Sequence, residues 1–210
     1  MENKILEELV TRYPALTPIR PQIEKAYHIL VEAYEAGNKL LIAGNGGSSA
    51  DAEHIVGELM KGFVKPRRVD PEFAAALKEA DAQLSDELIA NLQGGLPAIA
   101  LSGHAALTTA YLNDVNGLLC FAQQTYGYGK EGDVLLAIST SGNSKNVLYA
   151  MAVAKAKKMK VIALTGRDGG AMAARADACI IVPEQETFKI QEYHLPVYHA
   201  LCLMLEQHFF

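Results

Sequence analysis

Five short apolar runs, at residues 39–43, 97–101, 133–138, 160–164 and 178–182, are separated by longer amphipathic stretches. Runs this short, nearly continuous in Val, Ile, Leu and Ala and bounded by Gly or Asp, suit parallel strands buried on both faces. The intervening segments 50–61, 105–113, 143–157 and 188–207 read as helices. Strand and helix in alternation predict an α/β fold, a three-layer α/β/α sandwich around a central parallel sheet. A chain of 210 residues can bury one core of this kind, so a single domain over 1–210 is expected. Two regions fall outside the alternation. Residues 1–36, interrupted by Pro14, Pro18 and Pro21, predict N-terminal helices packed outside the sheet. Residues 62–95 are too long for a plain connection and predict a helical insertion, with short helices at 71–80 and 84–92.

Charge and hydropathy narrow the function classes. Lys plus Arg number 19 against 24 Asp plus Glu, a net charge of −5, which argues against a broad basic surface, and no direct nucleic-acid contact is expected. The longest apolar runs, 134–138 and 200–205, fall far short of the roughly 18 residues that cross a bilayer, so no membrane association is expected. The first eight residues carry acids where an export signal would carry a basic stretch and then an apolar one, so the expected location is cytoplasmic. Cys120, Cys179 and Cys202 lack Cys-x-x-Cys spacing and read as small buried hydrophobes.

Two loops carry the chemistry. The first run ends in Gly44-Asn45-Gly46-Gly47-Ser48-Ser49 and passes into a helix. Its glycines allow a ligand close approach to the backbone, and the helix N-terminus favours an anion. It is neither a dinucleotide fingerprint nor a Walker loop, because Ser49 stands at the last position and the Lys-Ser/Thr pair is missing; a plain tight turn is the competing reading. The third run ends in Ser139-Thr140-Ser141-Gly142-Asn143-Ser144, whose hydroxyls and loop amides suit a phosphate monoester. Here the competing reading is a helix cap. Two such loops at the carboxyl ends of parallel strands point to a phosphorylated or polyhydroxylated small molecule.

His54 and Glu58, spaced i, i+4 on the helix after the first loop, share one face. Gln191 and His199 lie eight residues apart on the last helix, a rise of about 12 Å and an offset of about 80°. A His, Glu, Gln and His set suits a borderline metal such as zinc, although spacing alone leaves a surface His–Glu pair and ordinary helix histidines open, with His194 a further candidate ligand. Pro196 removes the bond to the Glu192 carbonyl and predicts a kink.

Taken with Asp51-Ala52, Asn113-Asp114, the segments 132–144 and 163–170, and Ile190-Gln191-Glu192 with His194 and His199, these motifs resemble the phosphoheptose isomerases, a family of the sugar isomerase (SIS) fold. The resemblance covers roughly residues 20–207 outside the insertion. It implies an aldose–ketose isomerase interconverting sedoheptulose 7-phosphate and D-glycero-D-manno-heptose 7-phosphate by an enediol-type acid/base mechanism. By the same resemblance, Asn45, Gly46, Gly47, Asn113 and Asp114 would hold the sugar, and Ser139, Thr140, Ser141 and Ser144 the phosphate. His54, Glu58, Gln191 and His199 would be zinc ligands, with Glu58 and Gln191 also reaching substrate and Glu58 and His199 the acid/base pair. A homotetramer with sites between subunits is implied as well. One departure is Gly62, four residues after Glu58, where the family often has an arginine near the substrate; Lys61, Lys65, Arg67 and Arg68 are nearby substitutes. Two other readings stay open: a non-catalytic SIS regulator that binds a phosphosugar, resembling the factor that associates with the bacterial replication initiator, and an isomerase of another sugar phosphate.

Overall fold

The computed structural model describes residues 2–210, with side chains described from Lys4 onward. Its five strands are β1 (Leu40–Ala43), β2 (Ala98–Ala100), β3 (Val134–Ser139), β4 (Lys160–Thr165) and β5 (Ala178–Ile181), in the order β2-β1-β3-β4-β5. Every neighbouring pair is parallel. The five apolar runs therefore become the five strands, shifted by about one residue at their ends. Alternate strand residues feed two separate cores. Leu40, Ile42, Leu136, Ile138, Ile162 and Leu164 face one cluster, while Leu41, Ala43, Leu135, Ala137, Val161 and Ala163 face the other. Both faces being buried explains why the runs are apolar throughout rather than alternating.

Helices α1 (Glu2–Arg12), α2 (Arg20–Glu35), α3 (Gly47–Met60) and, at the C-terminus, α10 (Thr187–Phe209) cover the first face. Helices α7 (Cys120–Tyr128) and α8 (Lys145–Ala156), with Met172 of α9 (Gly170–Ala173), cover the second. This is the expected three-layer sandwich. Pro14–Ile19 forms a 3₁₀ helix, and Pro21 sits in the first turn of α2, where its missing N–H costs nothing. Pro196 does not end α10, which runs through it for 23 residues. Among the described residues no helix is long and apolar enough to cross a membrane.

Within the insertion lie α4 (Pro71–Ala80), capped by the Asp70 side chain accepting from Phe73 N–H, and α5 (Ser85–Asn91). Its neck is closed by an isolated antiparallel bridge between Arg68 and Gln93 and by Gly94 N–H donating to the Arg67 carbonyl. The remaining helix, α6 (Ala105–Asp114), leaves the end of β2 and, like α4, has no buried residue.

Candidate active site

The carboxyl ends of β1 and β3 are neighbours, and the helices leaving them pass to opposite faces, α3 to the cluster shared with α10 and α8 to the other. Such a switch point opens a crevice at the strand ends, the usual ligand site of an open α/β sheet. At the crevice neither cap position supplies a side-chain hydrogen bond: Gly46 precedes α3 and Ser144 precedes α8. Instead the Ser144 hydroxyl pairs with that of Ser139 at 2.9 Å, and Ser141 Oγ accepts from Asn143 N–H at 3.2 Å. Ser144 thus does not cap α8 through its side chain; Asn146 Oδ1 takes up Val147 N–H, which leaves Lys145 and Asn146 N–H at the start of α8 for an anion.

A second layer of loop supports this one. Gly166 N–H donates to the Thr140 carbonyl, Met172 N–H to the Gly142 carbonyl and Ala171 N–H to Asn143 Oδ1. Gly142 has φ +65°, and any Cβ there would run into the Gly169 carbonyl. The bracing roles of Asn143 and of the 166–170 turn are not evident from the sequence; the Gly169-Gly170 pair after β4 is its one trace. Asn146, also missed, joins the two loops by exchanging amide hydrogen bonds with Asn45 at 2.8 and 2.9 Å.

Helices α3 and α10 run side by side in the same direction. Near their starts, the Gln191 amide lies against Gly47, where an added Cβ would come within 2.5 Å of Nε2. Two turns on, His54 Nε2 is 3.2 Å from Glu58 Oε1, His54 Nδ1 is 2.9 Å from the Tyr198 hydroxyl, and the His54 and His199 rings meet edge-on at 5.1 Å. Glu58 Oε2 and His199 Nε2 are buried without a hydrogen-bond partner. Lys61 Nζ is 3.9 Å from Glu58 Oε2. Burial lowers the His199 pKa, helped by the charge on His54 and opposed by Glu58. His199 also lines a cavity of about 310 Å³ between α1 and α10.

Among the described residues no three His, Cys, Asp or Glu side chains stand ready as a metal centre. The donor set nevertheless fits zinc, since two imidazoles and a carboxylate are neighbours and two of their lone-pair atoms are unsatisfied. Gln191 is turned to Gly47 rather than to the other three. His194 is fully buried, and burial pushes its pKa down to about 4, the Thr165 backbone offsetting part of that; its place is in the packing of α10 on β4.

Other candidates are placed elsewhere. Asn113 and Asp114 lie exposed at the end of α6, hydrogen-bonded to each other at 2.7 Å and to none of the other candidate residues. Arg67 is not a substitute for the arginine absent at Gly62: it is 2% exposed, pairs with Glu206 at 2.8 Å and donates to the carbonyls of Glu58 and Leu59. Glu206 also accepts from Phe63, Val64 and Lys65 N–H. This brace ties the end of α3 to α10. Of the other substitutes, Lys61 and Arg68 are exposed and Lys65 is half-buried.

The SIS domain model matches this chain over residues 15–94 and 89–166. The phosphoheptose isomerase of a Nitratiruptor species is 39% identical over 209 residues, covering 100% of this chain and 98% of that protein. Among solved structures, the phosphoheptose isomerase of Francisella tularensis superposes with a TM-score of 0.76 at 33% identity, covering 98% of this chain and 96% of that one. The phosphoheptose isomerase of Neisseria gonorrhoeae gives 0.73 at 31% identity, with 98% and 93% covered.

Proposed function

The chain belongs to the phosphoheptose isomerase family of SIS-domain sugar phosphate isomerases, and from that premise we propose that it interconverts sedoheptulose 7-phosphate and D-glycero-D-manno-heptose 7-phosphate through an enediol, with zinc at the His54/Glu58 cluster. The observation that carries the reading is the pair of orphaned atoms, Glu58 Oε2 and His199 Nε2, buried where α3 meets α10. Leaving such atoms unpaired costs about 1–3 kcal/mol each, a cost that makes sense where a ligand completes them.

The phosphate would dock on the 139–144 loop, whose hydroxyls and the first N–H groups of α8 present donors. Asn45, Gly46 and Gly47 would hold the sugar against the start of α3, with Gln191 beside them. Isomerisation requires a base for the proton on the carbon next to the carbonyl and a donor for the carbonyl oxygen. Glu58 divides its two oxygens between tasks: Oε1 faces His54, and Oε2, with no hydrogen bond, takes the proton and returns it to the adjacent carbon. His199, whose pKa burial lowers, donates a ring proton to the carbonyl oxygen and recovers one from the neighbouring hydroxyl, so that the O–H proton changes place along with the C–H proton. His54, Glu58, His199 and, after turning from Gly47, Gln191 would hold zinc, which when bound polarises the carbonyl.

The homotetramer remains part of this reading. Helix α6 buries no residue of its own, with Leu112 72% exposed; Asn113 and Asp114 at its end would then serve a site completed by another subunit. A cytoplasmic location is proposed on the same footing. The test is to incubate the purified protein with sedoheptulose 7-phosphate in D₂O and follow it by NMR. An aldose heptose phosphate is expected, and any solvent deuterium at C2 marks exchange on the Glu58 carboxyl during the enediol step. No aldose product from any ketose phosphate would overturn the isomerase reading, and no turnover of this ketose beside turnover of another ketose phosphate would overturn the substrate.

A further inference from the structure

We infer that Tyr198, backed by Asp51, is a positioning residue that holds His54 in the tautomer whose bare nitrogen, Nε2, faces Glu58. The inference deepens the active site proposed above and rests on it for its consequence in metal binding. Tyr198 lies on α10, and its hydroxyl is 2.9 Å from His54 Nδ1 and 3.3 Å from Asp51 Oδ1. The two rings meet edge-on, with centroids 5.5 Å apart. Tyr198 is 2% exposed, so protein groups rather than water supply its partners.

The hydroxyl has a single proton. Burial raises the Asp51 pKa, against the Tyr198 hydrogen bond and the charge on His54; ionised, as it is at alkaline pH, Asp51 can only accept, so that proton points to Asp51, and the phenolic oxygen is left to accept from His54. Nδ1 must then carry the imidazole proton, which leaves the lone pair of a neutral ring on Nε2. Nε2 is 3.2 Å from Glu58 Oε1. In the opposite tautomer Nε2–H would donate to Glu58, and the pair would close on itself with both ligand atoms used up. Tyr198 prevents that closure: two lone pairs are held facing each other, an arrangement that a cation relieves. Hydrogen bonds to the distal nitrogen of a ligand histidine commonly change metal affinity by 10–100-fold.

The test uses Tyr198→Phe, which removes one oxygen and keeps the ring, and Asp51→Asn, which keeps the volume but introduces an amide that can donate and so lets the chain of bonds run backwards. In metal-free protein at a pH of about 8.5, above the ordinary histidine range, ¹⁵N NMR of the imidazoles should show His54 with its proton on Nδ1 in the wild type. Both variants should shift His54 toward the Nε2–H form. Zinc affinity, measured by competition with a chelator, should fall about 10–100-fold in both, while far-UV circular dichroism stays the same. A wild-type His54 with its proton on Nε2 overturns the inference, as do variants with unaltered tautomer and unaltered affinity. Absence of zinc binding by the wild type would instead overturn the metal reading, and the tautomer measurement would still decide the role of Tyr198.

Discussion

The loop after β1 and the loop after β3 are made of the same parts. Each follows a buried strand, turns on a glycine with positive φ, Gly46 at +56° and Gly142 at +65°, and enters a helix whose cap position gives no side-chain hydrogen bond. What lies behind them differs. The 139–144 loop is bonded to the turn 166–170 and the start of α9 at three places, and its Ser139 and Ser144 hydroxyls pair with each other. The 44–49 loop leads into a helix whose His54 and Glu58 meet α10 with two polar atoms left over. A braced cradle of hydroxyls and amides suits a group that binds and does not react, whereas unsatisfied buried atoms suit the place where protons move. The division assigns binding to one loop and chemistry to the other, and it can be broken.

The largest effect should come from the reactive side. Glu58→Gln keeps the shape and one oxygen but removes the carboxylate, so turnover should fall at least about 10²-fold even where metal is retained. His54→Ala should lose zinc first and activity in consequence. Elemental analysis beside the isomerase rate separates the two, and near-normal turnover in the Glu58 variant would remove it as the base.

On the binding side, His194 is fully buried close to the Thr165 backbone, at the end of the strand that leads into the 166–170 turn. Its pKa is about 4 in the folded protein against about 6.5 unfolded. The unfolded chain therefore binds the extra proton between those values, and stability rises with pH across that window. The stabilisation is complete above about pH 6.5 and is lost as pH falls toward 4, on the order of 3 kcal/mol in all. Urea titrations from pH 4 to 7 should show that slope in the wild type and a flatter one in His194→Leu. Equal slopes would mean that the buried ring does not carry the acid sensitivity.

Smaller still should be the loss from the cradle hydroxyls. Ser141→Ala and Ser144→Ala should each weaken binding of the phosphorylated sugar by about 1–2 kcal/mol, on the order of tenfold, and raise KM with little change in kcat. Unchanged affinity in the double variant would move the phosphate away from this loop.

How far the two loops were legible in the sequence follows the same division. The strands and the loop motifs are local, so short apolar runs and Gly/Ser clusters reveal them. The insertion, too, was legible, because Asp70-Pro71 is a local helix start. What stayed hidden joins distant parts of the chain. Arg67 looked like a free cation because Glu206, which neutralises it, is 139 residues away. Tyr198 was not singled out, because its partner Asp51 lies 147 residues off. The interlock of Gly142 with Gly169 is a backbone contact that residue type merely permits. Helix α7 also went unread, its five buried positions mixing Cys120, Phe121 and Ala122 with Gln124 and Thr125, so that no clean apolar stripe marks it.

The smallest predicted effect concerns the bond pair that joins the first loop to the start of α8. Asn45 and Asn146 exchange both amide hydrogen bonds at an exposed position, so each bond contributes at the low end of about 0.5–1.5 kcal/mol. Asn45 is also the proposed sugar contact, and its partner fixes which way the amide points. If Asn146 acts only through Asn45, then Asn146→Ala should raise KM a few-fold with kcat unaltered, and the change should vanish in the background of Asn45→Ala. A double-mutant cycle reads this directly. Coupling close to the whole Asn146 effect means that the second loop aims the first. Strict additivity would mean that Asn146 meets the substrate itself, and the boundary between the binding loop and the reactive loop would then have to be redrawn through α8.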